Sequence, residues 1–309
     1  MLSSAANNRL RVLSLKILDL LWFINELRPP SEIEKRKNTL EYYLSKIRDD
    51  HERAETLLEI GKLECSTGKN VDAAGRFYEC LRLFRKTGDR LGVGKTLYSI
   101  ALLHIERGKI EKAEEALKEC MQFAEECDSP WLKASSYELM ARILMKKGEV
   151  DEAVEKSLKA FEFFSIVGDA EGMSKALQNA CIALIKKGEI ERAVELLSRI
   201  RDIWRDEDEC NFVLSSLQLA ALLLSLGRIG EAEKVMSEVD SVSCENSRLS
   251  AFGNLIRALI LASAGKKDEA VAFAEKGKAE IEELYPKKDA RYQIAGEVLN
   301  AVRYLASVF

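Results

Sequence analysis

One short motif, Gly94-Lys95-Thr96, resembles the end of a phosphate-binding loop. Such a loop holds phosphate with backbone amides and a lysine, and it requires an earlier glycine, a strand before it and a helix after it. The glycine belongs five residues before Gly94, but that position is Asp89, and the nearest glycine, Gly88, is one residue out of register. We therefore interpret the triplet as part of a helix and expect no nucleotide site.

Histidines and cysteines, which often serve acid–base or metal chemistry, are sparse and scattered. The only histidines are His51 and His104, too few for many acid–base mechanisms. Cys120 and Cys127 lie about two helical turns apart, but no histidine or second cysteine pair joins them to complete a metal site. No nucleophile motif is present. The sequence therefore predicts no catalytic residue, no cofactor and no metal.

The cysteines show no disulfide pattern. Their number is odd and no two form a CxxC pair, so we expect reduced thiols that pack as small apolar residues. Reduced thiols are typical of a reducing compartment. The seven are Cys65, Cys80, Cys120, Cys127, Cys181, Cys210 and Cys244.

Composition argues against nucleic acid or membrane as the partner. The chain has 309 residues with 47 Lys+Arg and 51 Asp+Glu, and its formal net charge of −4 gives no general attraction to polyanions. Charged residues interrupt the apolar stretch from Leu10 to Leu27, so no uncharged run reaches the ~18–20 residues of a membrane span. No clear secretory signal is present. We therefore expect a cytoplasmic protein.

A glycine recurs about every 40 residues through most of the chain. An alanine stands five residues after each of these glycines, and a small residue stands seven residues before each. Three matching columns in six copies indicate internal repeats. The glycines are Gly68, Gly108, Gly148, Gly188, Gly227 and Gly265; the alanines are Ala73, Ala113, Ala153, Ala193, Ala232 and Ala270; the small residues are Gly61, Ala101, Ala141, Cys181, Ala220 and Ala258.

Each column has a physical role in a pair of helices. The glycine ends a helix, where a left-handed backbone conformation is least costly for a residue without a Cβ. The small residues lie where two helices cross, since larger side chains would push the axes beyond the usual ~8–10 Å. Two helices of ~15 residues with their turns fill one unit. The columns therefore predict an all-α array of helix pairs.

The small residue, glycine and alanine at offsets −7, 0 and +5 resemble the tetratricopeptide repeat, over roughly Arg53 to Pro286. The period is near 40 rather than ~34, and the usual proline after the second helix is missing. Such longer repeats are similar to those of kinesin light chains, spindle-orientation adaptors and peptide-sensing bacterial regulators. The resemblance implies an α-α superhelix (solenoid) that binds a protein or peptide.

The ends depart from the repeat, as caps of such arrays usually do. We expect residues 1–50 to form a degenerate capping helix pair, 51–286 to form six repeats, and 287–309 to form a capping helix, in one continuous solenoid. The count is then seven pairs plus one helix, or fifteen helices. Self-association through the terminal helices stays an open alternative.

The resemblance also implies a concave groove lined by the first helix of each pair. Asn179 and Gln218 share one offset in adjacent units, and a side-chain amide there can pair with an extended peptide backbone. Nearby cations are either attractors of acidic side chains or ordinary solvated charges. The candidate partner-binding residues are Tyr98, Arg142, Lys146, Lys175, Gln178, Asn179, Lys186 and Gln218, and Lys95 lies near them.

In the last units the groove offsets are apolar, with Phe252, Leu255, Ile256 and Leu259. An exposed patch of this kind would mark an interaction site. Either a partner's amphipathic helix or the chain's own helix, Asp289 to Phe309, lies on it. We favour the chain's own helix, because terminal helices commonly cap such arrays.

Two functions fit these patterns. The favoured hypothesis is a non-catalytic adaptor that holds a peptide or helix of a partner protein in its groove. The alternative is a sensor that changes its superhelical pitch on binding a small ligand or signal peptide and acts on a separate effector. An enzyme would need a site, and the sequence offers none.

Overall fold

The computed structural model describes residues 4–22 and 30–308, and these residues form fifteen α-helices and no strand. The expected all-α solenoid of helix pairs and the expected number of helices are confirmed. None of these helices combines the length and apolar character that crossing a membrane requires. The helices are α1 (Ser4–Trp22), α2 (Pro30–Leu44), α3 (Asp50–Ser66), α4 (Asn70–Thr87), α5 (Arg90–Glu106), α6 (Ile110–Glu126), α7 (Pro130–Lys147), α8 (Val150–Val167), α9 (Ala170–Lys187), α10 (Ile190–Trp204), α11 (Glu209–Ser225), α12 (Ile229–Val239), α13 (Ser247–Ser263), α14 (Lys267–Leu284) and α15 (Ala290–Val308).

The odd-numbered helices from α3 to α13 are bounded in the same way. A polar residue caps the start of each, as when Asp89 accepts a 2.9 Å hydrogen bond from the amide of Gly92, and such a cap contributes about 1 kcal/mol. The six periodic glycines follow the ends of these helices and all have left-handed φ, between 69° and 86°. The predicted role of the glycine column is confirmed. The caps are Asp49, Asp89, Ser129, Asp169, Asp208 and Asn246.

Small side chains allow the helices to cross closely. A Cβ at Gly61 would lie 2.5 Å from Cε1 of Phe77, and a Cβ at Gly94 would overlap Cδ2 of Leu132. The six alanines five residues after the periodic glycines are all fully buried. Gly61 and Gly94 lack a side chain because a neighbouring residue occupies the space, and Gly61 belongs to the column of small residues for which the sequence predicts such a crossing.

The chain divides into two compact units. The middle unit contains residues 30–193, and the terminal unit contains residues 4–22 with 194–308. The division falls inside α10, not at the expected boundaries of residues 50 and 286. It also places α1 and α2, the expected capping pair, in different units.

In the middle unit the odd-numbered helices form a continuous layer. α3 packs on α5, α5 on α7 and α7 on α9, whereas α4, α6 and α8 pack only on the helices before and after them in this unit. The core between the layers is apolar and includes the fully buried side chains Phe77, Phe84 and Leu132. We call the outer surface of α3, α5, α7 and α9 the odd-helix face.

In the terminal unit α1 packs on α11, α13 and α15, and α15 also packs on α13 and α14. The side chains of Leu10, Leu13, Ile17, Leu18 and Leu21 on α1 are at most 3% exposed. A 2.6 Å ion pair between Lys16 and Glu297 joins α1 to α15. The expectation that the C-terminal helix covers the apolar end is therefore incomplete, because α1 lies on the same helices.

One disulfide corrects the expectation that all cysteines are reduced. Cys210, at the start of α11, is bonded to Cys244, in the turn before α13, across 34 residues of sequence. The five other cysteines are free thiols. Neither an odd cysteine number nor the lack of a CxxC motif excludes one long-range pair. The cysteine pattern consequently no longer supports the argument for a reducing compartment.

Gly94→Ala should destabilise the protein by about 1–3 kcal/mol, because the added methyl group overlaps Leu132 in a packed crossing. Gly75→Ala is the matched control: Gly75 lies inside α4 with nothing within 4 Å of its Cβ position, so alanine should stabilise by about 0.5–1 kcal/mol. Urea unfolding followed by circular dichroism measures both. Equal effects would contradict the crossing argument.

Replacing Cys210 by serine should lower the stability of the terminal unit by about 3–4 kcal/mol, the value that the loop-entropy model gives for a 34-residue separation. Cys127→Ser, at a half-buried free thiol, is the control and should have little effect. Unfolding in the absence of reductant compares the variants. Alkylation of all seven cysteines in unreduced, denatured protein would refute the disulfide.

Candidate partner-binding surface

Seven of the eight predicted partner-binding residues lie on the middle unit. Tyr98 is on α5, Arg142 and Lys146 are on α7, and the other four are on α9. Lys146 and Lys186 are exposed, and Arg142, Gln178 and Asn179 are half-buried. The contacts of α5 with α7 and of α7 with α9 bring these helices together on the odd-helix face. The four on α9 are Lys175, Gln178, Asn179 and Lys186.

The amide of Asn179 already has a partner within the chain. Its Nδ2 donates a 2.9 Å hydrogen bond to Oε1 of Glu138 on α7. Glu138 is only 5% exposed, and its other carboxylate oxygen, Oε2, is buried without a hydrogen bond in the described part of the chain. The bond fixes α9 against α7 and leaves the carbonyl oxygen of Asn179 as the acceptor it can offer a peptide.

Tyr98 forms an aromatic contact on the same face. Its ring packs edge-to-face on Trp131, with 5.9 Å between centroids. Burial raises the pKa of Tyr98, and the nearby Glu138 carboxylate raises it further. The phenol therefore stays neutral and can donate a hydrogen bond at physiological pH.

The predicted cations differ in their surroundings. Lys175 is paired with Glu171, one turn earlier on α9. Arg142, Lys146 and Lys186 form no ion pair with any residue that the structure describes. Burial raises the pKa of Glu106 on α5, and Arg142 opposes that rise, so these two groups lie near each other. The free cations give the face a positive character.

Sequence comparison agrees with this architecture. A family model described as tetratricopeptide repeat matches residues 52–126, which span α3 to α6. The predicted resemblance to tetratricopeptide repeats is confirmed. A second model, described as anaphase-promoting complex subunit 5, matches residues 177–272. No curated protein matches the sequence.

Several solved structures resemble this chain in fold. A signal transduction ATPase with a tetratricopeptide-repeat sensor, from Pyrococcus horikoshii, aligns with a TM-score of 0.68 and 17% identity over 87% of this chain and 41% of its own. A Rap protein complexed with competence and sporulation factor aligns with a TM-score of 0.59 and 12% identity, over 89% of this chain and 81% of its own. Aspartyl phosphate phosphatase F from Bacillus subtilis aligns with a TM-score of 0.56 and 10% identity, over 100% of this chain and 96% of its own.

The tetratricopeptide repeats also explain the residues that first suggested other chemistry. Lys95 and Thr96 lie inside α5, and the Thr96 hydroxyl donates a 2.8 Å hydrogen bond to the carbonyl of Gly92, so the phosphate-loop geometry is absent here. His104 is half-buried, and burial lowers its pKa, with nearby lysines adding to the effect. In the residues described, no cluster of three metal-binding side chains occurs.

Gln218, the eighth predicted residue, requires a correction. Its side chain is fully buried on α11, and Nε2 donates a 3.3 Å hydrogen bond to the backbone carbonyl of Leu21 at the end of α1. The amide therefore pairs with a backbone, as expected, but the backbone belongs to the chain itself. Gln218 is not available to a partner while α1 occupies this position.

α1 also accounts for the apolar groove residues of the last repeats. Phe252, Leu255, Ile256 and Leu259 on α13 are all fully buried. Five buried side chains of α1, each contributing about 1.5–3 kcal/mol, make its removal cost on the order of 10 kcal/mol as an upper estimate. Few partners could displace it, so the terminal unit does not offer this surface.

Sequence reasoning missed the occupant of the terminal unit and the bond between Glu138 and Asn179. The hydrogen bond could have been found in the sequence, because Glu138 and Asn179 stand ten and nine residues before the periodic glycines of consecutive repeats. The position of α1 in the terminal unit had no such sequence signal, because the amphipathic spacing of α1 fits any apolar neighbour.

Ile17→Ala should destabilise the terminal unit by about 2–5 kcal/mol, because Ile17 is fully buried on α1. The control is Leu15→Ala on the same helix, where the side chain is 38% exposed and the loss should be below about 1 kcal/mol. Hydrogen exchange of the α11 amides reports the change. Unchanged protection in the Ile17 variant would contradict the packing of α1 on α11.

Proposed function

We propose that this chain is a non-catalytic adaptor that holds a peptide or helix of a partner protein on the odd-helix face of its middle unit. Tetratricopeptide repeats generally mediate protein–protein interaction. The observation that carries the proposal is the difference between the two units: α11 and α13 are buried beneath α1, whereas α5, α7 and α9 present polar and charged side chains.

The side chains of this face suit a peptide ligand. Gln178 and Arg142 are half-buried, and neither has a hydrogen bond to another described residue. Asn179 retains an acceptor, and Tyr98 supplies an apolar ring with a donor hydroxyl. Aromatic rings and arginine are the residue types that contribute most at protein interfaces.

A regulatory sensor is the second candidate. The similar structures include a tetratricopeptide-repeat sensor and a protein in complex with a signalling factor. A change in small-angle scattering on addition of a ligand would favour a sensor over a rigid adaptor. Another similar structure is described as a phosphatase, so the fold alone does not decide the question of catalysis. We propose no catalytic role because no described cluster forms a site.

The double variant Arg142→Ala/Gln178→Ala should reduce capture of the partner at least about tenfold, equivalent to about 1.4 kcal/mol. Asn179 is left intact, because its removal would leave the buried Glu138 without its hydrogen bond. Quantitative mass spectrometry of proteins retained from native cell extract measures the loss.

The control is Arg82→Ala/Lys118→Ala, which removes two exposed cations from α4 and α6, on the other layer of the same unit. It should retain the same proteins as the wild type. Circular dichroism checks that both variants keep their helical content. If both variants and the wild type retain identical proteins, the odd-helix face does not bind the partner.

A further inference from the structure

Tandem lysines at the ends of α7 and α9 have unequal surroundings. Lys147 pairs with Glu114 on α6, and Lys187 pairs with Asp151 on α8 at 2.6 Å. Their neighbours Lys146 and Lys186 are exposed and have no ion pair within the described ranges. In both repeats, therefore, one lysine is neutralised by the even-numbered layer and the other is left on the odd-helix face.

Helix electrostatics do not account for this difference. Both lysines of each pair lie in the last turn, where a cation is favoured by the negative end of the helix dipole. That interaction needs one charge near the helix end and no particular orientation. The unpaired lysines thus add positive charge beyond what the helices require.

The same imbalance extends along the face. In α5, α7 and α9 every lysine and arginine that the structure describes is in an ion pair except four. The carboxylates of these helices offset the cations only in part: Glu171 is paired with Lys175, Glu138 is buried, and Glu106, near Arg142, is the one described carboxylate that is exposed without an ion pair. The four unpaired cations are Lys95, Arg142, Lys146 and Lys186.

The arrangement of the cations limits the shape of a ligand. Arg142 and Lys146 are four residues apart on α7, about 6 Å along the helix. Lys186 holds in α9 the position that Lys146 holds in α7, so the charges continue from one repeat to the next. Four cations could pair with a few carboxylates of a short peptide segment.

We propose that the partner segment bound on this face is acidic, with Asp or Glu side chains facing Arg142, Lys146 and Lys186. This inference rests on the proposed adaptor function. A protein segment is favoured over a nucleic acid, because the chain as a whole carries a net charge of −4 and would repel a long polyanion away from this small patch. Charge complementarity of this kind sets specificity and association rate.

The test is selection of a displayed library of random 12-residue peptides on the full chain, at about 50 mM NaCl, where exposed charges are weakly screened. Enrichment of Asp and Glu over the unselected library is the expected result. A selected acidic peptide should bind Lys146→Glu/Lys186→Glu at least about tenfold more weakly than the wild type, a loss of about 1.4 kcal/mol.

The matched control is Lys147→Glu/Lys187→Glu, which makes the same change of charge one residue further along the same helices. Both variants carry the same net charge and therefore share the long-range effect, so the control should bind the selected peptide at least about threefold more tightly than Lys146→Glu/Lys186→Glu does. Thermal unfolding of both variants checks that each is folded. Equal weakening in the two variants would overturn the assignment of the patch.

The other outcomes are also decisive. Enriched peptides without an acidic bias would reject the acidic partner while leaving the adaptor function in place. No enrichment at all would count against both proposals. A 12-nucleotide oligo(dT) and unlabelled selected peptide can be compared as competitors of the labelled peptide, at equal concentrations of negative charge. If the oligonucleotide displaces the labelled peptide equally well, the patch is a general polyanion site and the inference is wrong.

Discussion

The fold depends on close helix crossings that only small side chains permit. At Gly94 there is no space for a single methyl group beside Leu132, and the ring of Phe77 occupies the corresponding space at Gly61. The Gly61 crossing joins the two helices of one pair, α3 and α4, and the Gly94 crossing joins one pair to the next, α5 to α7, so the core of the middle unit is a series of local apolar clusters. In this unit, a surface that spans several repeats is therefore held by contacts between neighbouring helices and neighbouring pairs.

The repeat also explains side chains that suggest reactivity. Cys80 lies 3.2 Å from both the carbonyl oxygen of Ala54 and the hydroxyl of Thr96, and burial raises the pKa of its thiol to about 11. Cys120 contacts the equivalent residues of the next repeat, at 3.3 and 3.4 Å. These thiols join three successive helices. Their equivalence in the sequence was sufficient to predict packing, because local spacing fixes which atoms meet.

Features set by distant parts of the chain had no such signal. Leu21 and Gln218 are 197 residues apart, and Cys210 and Cys244 belong to different helix pairs. A periodic pattern states how each pair meets the next, but it does not state what lies against a face that the repeats leave open. The helices, their glycine ends and their crossings could therefore be predicted, while the position of α1 and the disulfide could not.

The comparison of Asn179 and Gln218 shows which side chains can carry recognition. Both amides hold the same offset, and both donate within the chain, Asn179 to Glu138 and Gln218 to the carbonyl of Leu21. An amide at this offset therefore stabilises the fold in both units and does not by itself indicate a bound peptide. The units differ in what remains accessible beside the amide: apolar side chains under α1 in one, unpaired cations in the other. The proposed acidic partner therefore rests on these cations and not on the amides.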